Sequence, residues 1–241
     1  DGNGYVGNLE LKPETARTAS ISANWHDAGD KIWNVRLTPY LTDIDDYVDA
    51  RRCFSAMPFG MACTADNLSR TSGFVYLQFV NQSARLHGFD LSANFPIGKP
   101  SRFGSFRGEA LLGYTHGENR TTGDKLYNIM PLNADFAIEQ KLGAWTNRIE
   151  VELVSRKDDV SAVRNEVETA GFGLLHLRGS YAWNRLRLDF GVENLFDRFY
   201  SPPLGGAYLG QGKTMSGTDV PWGITVPGKG RSIYAGVNLT F

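Results

Sequence analysis

Apolar and polar residues alternate along most of this chain. At its end Ile233, Ala235, Val237, Leu239 and Phe241 fall on one face, and Ser232, Tyr234, Gly236, Asn238 and Thr240 on the other. Leu186, Leu188, Phe190 and Val192 alternate in the same way with Arg187, Asp189, Gly191 and Glu193. A period of two is the mark of a strand with two unlike faces. The same period runs through Ala19–Trp25, Trp33–Leu41, Phe106–Tyr114, Ala134–Ile138, Ile149–Leu153 and Leu175–Trp183. A longer stretch, Gly73–Phe95, carries it with one phase slip near Asn81 and Gln82, which predicts a β-bulge. The pattern predicts nine strands and no sustained helical period.

The connections alternate in length. Short ones fall at Asp27–Asp30, Pro96–Gly104, Gly143–Ala144 and Asn184–Arg185. Long ones fall at Phe54–Ser72, Gly117–Pro131, Asp158–Gly171 and Tyr200–Gly230. In an up-and-down arrangement this puts all long loops at one end. Outer-membrane barrels are built that way, with short periplasmic turns and long extracellular loops. Alternation by itself also fits a soluble β-sandwich, such as a carbohydrate- or ligand-binding module, with one face in a core and one in water. Two further features favour the membrane. Lys31–Cys53 and Gly73–Phe95 exceed the ~9–11 residues that a tilted strand needs to cross a bilayer. Trp25, Trp33, Trp145, Tyr181, Trp183 and Phe241 gather near strand ends, as interfacial aromatics do.

Composition narrows the function classes. The 241 residues carry 25 Lys+Arg against 26 Asp+Glu, a net charge of −1. That balance lacks the basic excess that phosphate-backbone binding requires, so nucleic acid is not an expected partner. The mean hydropathy of −0.30 is uninformative here, because barrel strands hide their apolar half from averages. The chain opens Asp1-Gly2 with no Met, which reads as a processed or partial chain.

Five stretches carry a resemblance. They are Gly7–Thr15 (GNLELKPET), Val35–Ala50, Phe79–Phe95 (FVNQSARLHGFDLSANF), Gly191–Asp197 (GVENLFD) and Val226–Phe241 (VPGKGRSIYAGVNLTF). In this order they resemble the C-terminal barrel part of TonB-dependent outer-membrane receptors. The resemblance implies an all-β, antiparallel transmembrane β-barrel segment, about nine strands of a barrel of about 22. It places residues 1–241 in that barrel, with the plug domain and TonB box absent from this chain. It implies a Gram-negative outer-membrane location and TonB-dependent import of a metal or metal chelate, a ferric siderophore or copper. The implied partners are outer-membrane lipid, the remaining strands and plug, the TonB complex through the missing N-terminal part, and the barrel-assembly machinery. Phe241, a terminal aromatic, resembles the signal that this machinery reads. Within Tyr200–Gly230, the stretches Pro202–Tyr208 and Gly210–Met215 resemble TonB-dependent copper receptors, and ferric-siderophore receptors share much of the pattern.

Candidate chemistry is sparse. Cys53 and Cys63, close together in a predicted exposed loop of an exported protein, predict a disulfide. The alternative joins them with Met57 and Met61 as a soft-metal site suited to Cu(I). His26, His87, His116 and His176 are scattered without zinc spacing, and no nucleophile motif appears, so neither an enzyme nor a resident cofactor is expected. Asn194 and Asp197 suit Asx turn caps at the top of a strand. Charged residues on the polar faces, among them Arg107, Glu109, Glu139, Arg148, Glu150, Arg178 and Glu193, predict cross-strand ion pairs in a wet lumen. Ligand recognition is expected in the long loops, with Met57, Phe59, Met61, Tyr127, Met130, Tyr208, Met215 and Trp222 as candidates.

Overall fold

The computed structural model describes residues 4–29, 32–55, 61–64, 68, 75–100, 102–208 and 223–240. Fourteen strands and no helix lie among these described residues. In chain order they begin with β1 (Gly4–Val6), β2 (Thr15–Ser20), β3 (Ala23–His26), β4 (Asn34–Ser55), β5 (Met61–Thr64), β6 (Tyr76–Gly98) and β7 (Ser105–Asn119). They continue with β8 (Asn133–Leu142), β9 (Trp145–Val154), β10 (Phe172–Trp183), β11 (Leu186–Glu193), β12 (Ala207–Tyr208), β13 (Ile224–Thr225) and β14 (Ser232–Leu239).

Nine strands form one antiparallel meander in the order β14-β11-β10-β9-β8-β7-β6-β4-β2. This matches the nine strands and the antiparallel barrel wall expected from the sequence. The stretch Ala19–Trp25 is interrupted at Ile21 and Ser22, so that β2 and β3 pair in succession with β4. The bulge is real but lies on the facing strand. The register shifts between Ile44 and Tyr47 of β4, where Asp46 has a φ of 55°. The extra residue is carried by an aspartate that tolerates the left-handed region, and the β6 backbone opposite needs none. Before the first predicted strand the chain forms β1, which runs parallel to the top of β6.

Register sorts the side chains into two unlike faces. Leu37, Leu91, Leu112, Ala134 and Leu153 stand opposite one another across β4, β6, β7, β8 and β9. Ile149, Leu177, Val192 and Ile233 continue the apolar face across β9, β10, β11 and β14. These residues are not a core: Ile149 is 51% exposed, Val237 65% and Leu239 61%. On β7 the apolar face runs from Phe106 to Tyr114, nine residues, within the ~9–11 that a tilted strand needs to cross a bilayer. At its upper limit Phe89 packs on Tyr114, and at its lower limit Trp145 packs on Tyr181, with centroids 6.0 and 4.8 Å apart. Above Phe89 and Tyr114 the same face turns polar, first with the His87–His116 ring pair and then with the Asp43–Arg85 ion pair.

The other face is ionic. Arg148 donates to Glu109 at 2.6 Å and to Glu150 at 2.9 Å, and Arg178 reaches Glu150 and Glu193. Arg107 instead donates to Asn94. The Tyr234 ring of β14 lies over Gly191, where a Cβ would stand. Buried apolar clusters are confined to the long-loop end. One joins Ala50, Val75, Leu77 and Val163, and the other joins Val154, Phe172 and Leu174.

Candidate functional site

The described parts of the long loops lie at one end of the sheet, joined to the upper ends of β4, β6, β7, β8, β9, β10, β11 and β14. Residues 120–132 and 155–171 pack there against the top of the β4–β6 hairpin, and Tyr200 of the last loop packs on Val154, Phe172 and Leu174. Buried charges hold them. Lys157, 1% exposed, donates to Glu166 at 2.5 Å, and Glu166 also accepts from the backbone N–H groups of Asn128 and Ser161. Asp124 accepts from the Ser161 hydroxyl and from the N–H groups of Ala162 and Val163. Arg52, 2% exposed, donates to the carbonyls of Ala162 and Val163 and to Asn165. Asp49 accepts from Asn119 and from Arg164. Ionised groups this dry are costly unless they are paired or hydrogen-bonded. The network therefore ties residues 120–132 and 155–171 to each other and to the hairpin, and Lys157 also reaches the Pro203 carbonyl of the last loop.

Two cavities open among these loops. The first, about 190 Å³, is bounded by His116, Lys125, Met130, Arg156 and Asp159. There Asp159 lies 2.9 Å from His116 and 3.4 Å from Lys125. The second, about 130 Å³, lies between Tyr5, Tyr127, Asn128, Arg164, Thr169 and Pro203. Arg164 sits between two rings, 5.1 Å from the Phe79 centroid and 5.0 Å from that of Tyr127. Burial pushes the Tyr127 phenol above its ordinary range, so it stands as a neutral hydroxyl.

Of the residues singled out from sequence, Tyr127 borders the second cavity and Met130 the first. Met130 also packs on the Val154, Phe172 and Leu174 cluster. Tyr208 belongs to the β12–β13 ribbon within the last long loop. Met57, Phe59, Met215, Trp222 and Phe241 lie outside the described residues, and of Met61 only the backbone, in β5, is described. Cys53 and Cys63 stand directly opposite each other on β4 and β5 and are joined by a disulfide. No group of three or more His, Cys, Asp or Glu side chains among the described residues is placed to hold a metal.

Asn194 and Asp197 close the base of the last loop. Asn194 donates to the carbonyls of Arg198 and Lys229, and Asp197 accepts from the Arg231 N–H. At the opposite end, Asp27 accepts from the N–H groups of Ile32 and Trp33, which hold its carboxyl below the usual range. Sequence reasoning did not single out Arg52, Asp124, Lys157, Arg164, Glu166 or Thr169. Asp124, Arg164 and Glu166 are charges inside predicted loops, whereas Arg52 sits in a predicted strand and Thr169 carries no charge.

A one-layer antiparallel meander with an exposed apolar face, an ionic face and long loops at one end is a stretch of outer-membrane β-barrel wall. The family model described as TonB dependent receptor-like, beta-barrel, matches residues 1–195. The chain belongs to the TonB-dependent receptor family, whose barrels stand in the Gram-negative outer membrane. It is 31% identical over 218 residues to the Heme/hemopexin utilization protein C of Haemophilus influenzae, covering 83% of this chain and 28% of that protein. In fold it is similar to the copper transporter OprC, with a TM-score of 0.75 and 23% identity over 97% of this chain and 33% of that one. It is also similar to a mutant of the Pseudomonas aeruginosa ferric enterobactin receptor PfeA in complex with enterobactin. There the TM-score is 0.69 at 18% identity, over 98% of this chain and 33% of that one. The chain thus spans less than a third of the length of the curated relative it matches.

Proposed function

We propose that this chain is the C-terminal barrel wall of a receptor that imports a metal chelate across the outer membrane, driven through TonB. The single observation that carries the reading is the loop body. Buried Lys157–Glu166, Arg52 and Asp124 lock two loops and the β4–β6 hairpin into one rigid rim, with open cavities, above a wall built for lipid. A rigid scaffold that holds loops in place is what a recognition surface requires. The reading is transport and not catalysis.

An iron–porphyrin is the first candidate ligand, because the curated relative at 31% identity is named for heme and hemopexin utilization. Copper is the second reading. It is favoured by the copper-receptor-like stretches Pro202–Tyr208 and Gly210–Met215, and it would draw on Met57, Met61 and Met215. Tyr127, Met130 and Tyr208 remain ligand-contact candidates, with Phe59 and Trp222 beside them. The Cys53–Cys63 bond would pin the first long loop in the oxidising environment outside the inner membrane. The plug, the remaining strands and the TonB contact belong to the rest of the receptor. Phe241 would serve the barrel-assembly machinery.

The test is growth of an iron-starved Gram-negative host, lacking its own receptors, that produces the full-length protein. Growth on hemin that stops when TonB is removed is the expected result. Uptake that persists without TonB overturns the mechanism. Copper uptake without hemin uptake selects the second reading.

A further inference from the structure

Two donors at the second cavity have no partner. The Arg164 Nε–H and the Thr169 hydroxyl are both buried and make no hydrogen bond, and Thr169 is 5% exposed. Both residues line the cavity of about 130 Å³, with the two donor atoms set just behind its surface. The nearby carboxylates are already engaged. Asp49 takes Arg164 Nη2 and Asn119, Asp124 takes Ser161, Ala162 and Val163, and Glu166 takes Lys157, Asn128 and Ser161. Buried donors left open favour an acceptor supplied from outside.

The surroundings narrow what that acceptor is. The buried cations Arg52 and Lys157 and the half-buried Arg164 are matched by the buried carboxylates Asp49, Asp124 and Glu166. A site already near neutrality suits a singly charged planar group better than a doubly charged tetrahedral one. Flat surfaces flank the donors. Tyr5 stacks on Phe79 with centroids 5.6 Å apart and planes 12° apart, and Arg164 lies between Phe79 and Tyr127. Tyr5 is 51% exposed and Tyr127 40%, so each keeps an open surface toward an incoming ring.

We propose that Arg164 and Thr169 seat a carboxylate carried by a flat aromatic ligand, with Tyr5 and Tyr127 against its ring. The seat rests on the reading that these loops receive the imported chelate, and it deepens that reading by naming the group they grip. Arg164 supplies a charged donor at the edge of its guanidinium, and Thr169 a neutral donor on the same acceptor. A ligand with its carboxylate masked keeps the ring contacts and loses both hydrogen bonds.

The test compares hemin, which carries two carboxylates, with its dimethyl ester, on the purified full-length receptor. The wild type should bind the acid at least about tenfold more tightly than the ester, the factor expected for a charged hydrogen bond. Thr169→Val keeps the shape of the side chain and should reduce the preference several-fold. Arg164→Lys, which keeps a cation for Asp49 but lacks the Nε–H, should abolish it, and hydrogen exchange over residues 155–171 that matches the wild type separates this loss from a misfolded loop body. Equal affinity of the wild type for acid and ester, or a preference that survives both substitutions, overturns the seat and leaves the transport reading intact. Binding of neither porphyrin overturns the iron–porphyrin reading and the seat with it.

Discussion

The wall and the loop body solve opposite problems with the same kinds of residue. In the wall, Ile149, Leu153, Phe190 and Val237 are exposed, while Arg148 and Glu150 are partly sheltered on the opposite face. In the loop body, Lys157, Arg52 and Glu166 are buried and hold the structure together. The wall leaves its apolar face for hydrocarbon and satisfies its backbone strand to strand, as a bilayer demands. The loops stand in water, where a small body lacking a large apolar core gains its rigidity from buried polar contacts such as Lys157–Glu166 and Asp124–Ser161. Burial of a charge therefore signals membrane lumen in one region and loop architecture in the other.

The comparison breaks most sharply at Glu166. Glu166→Ala should cost about 3–5 kcal/mol, because it leaves the Lys157 ammonium buried without its partner. The loss should appear in hydrogen exchange as opening of residues 120–132 and 155–171, with the strand amides unchanged. Replacing both partners by apolar residues of similar volume should recover most of it. Next in size is Val151→Arg on the apolar face of β9, expected to cost about 2–4 kcal/mol in reversible folding into bilayers. Leu111→Arg, on the ionic face of β7 and 55% exposed, should be close to neutral in the same assay. Equal costs at Val151 and Leu111 would erase the distinction between the faces.

Reducing the Cys53–Cys63 bond should destabilise the first long loop by about 2.5–3 kcal/mol, the chain-entropy value for so short a ring. Differential alkylation with and without reductant checks the bond, and protease sensitivity at the β4–β5 junction checks the effect. The smallest effect belongs to the turn at the other end. The N–H groups of Trp33 and Ile32 depress the Asp27 carboxyl, so its contribution is present above the unfolded-state value and fades as pH falls through the lower folded one. Asp27→Ala should remove that acid-side dependence from the exchange rates of the Ile32 and Trp33 amides and leave the loop body unaffected.

The wall was legible in the sequence because each of its decisions is local. Alternation such as Leu186–Val192 needs only neighbouring residues, and two-residue connections such as Asn184–Arg185 fix the register without long-range information. The bulge was legible as a phase slip but not as to its strand, since either partner can carry the extra residue until Asp46 is seen at a positive φ. The loop body was not legible. Arg52 meets Val163 across 111 residues and Asp49 meets Arg164 across 115, and no periodic signal links them. Tyr127 was singled out for its ring, whereas the donors beside it, Arg164 and Thr169, read as ordinary loop residues.

The central claim is that one face of this sheet meets lipid and the other does not. Spin labels at Val151, Phe190 and Leu188, and at Leu111, Asp135 and Glu150 on the opposite face, test it in outer-membrane vesicles of the full-length receptor. Collision with dissolved oxygen, which concentrates in hydrocarbon, should dominate at the first three positions, and a water-soluble paramagnetic chelate should gain relative to oxygen at the second three. Water-soluble collisions prevailing at Val151, Phe190 and Leu188 would contradict the account.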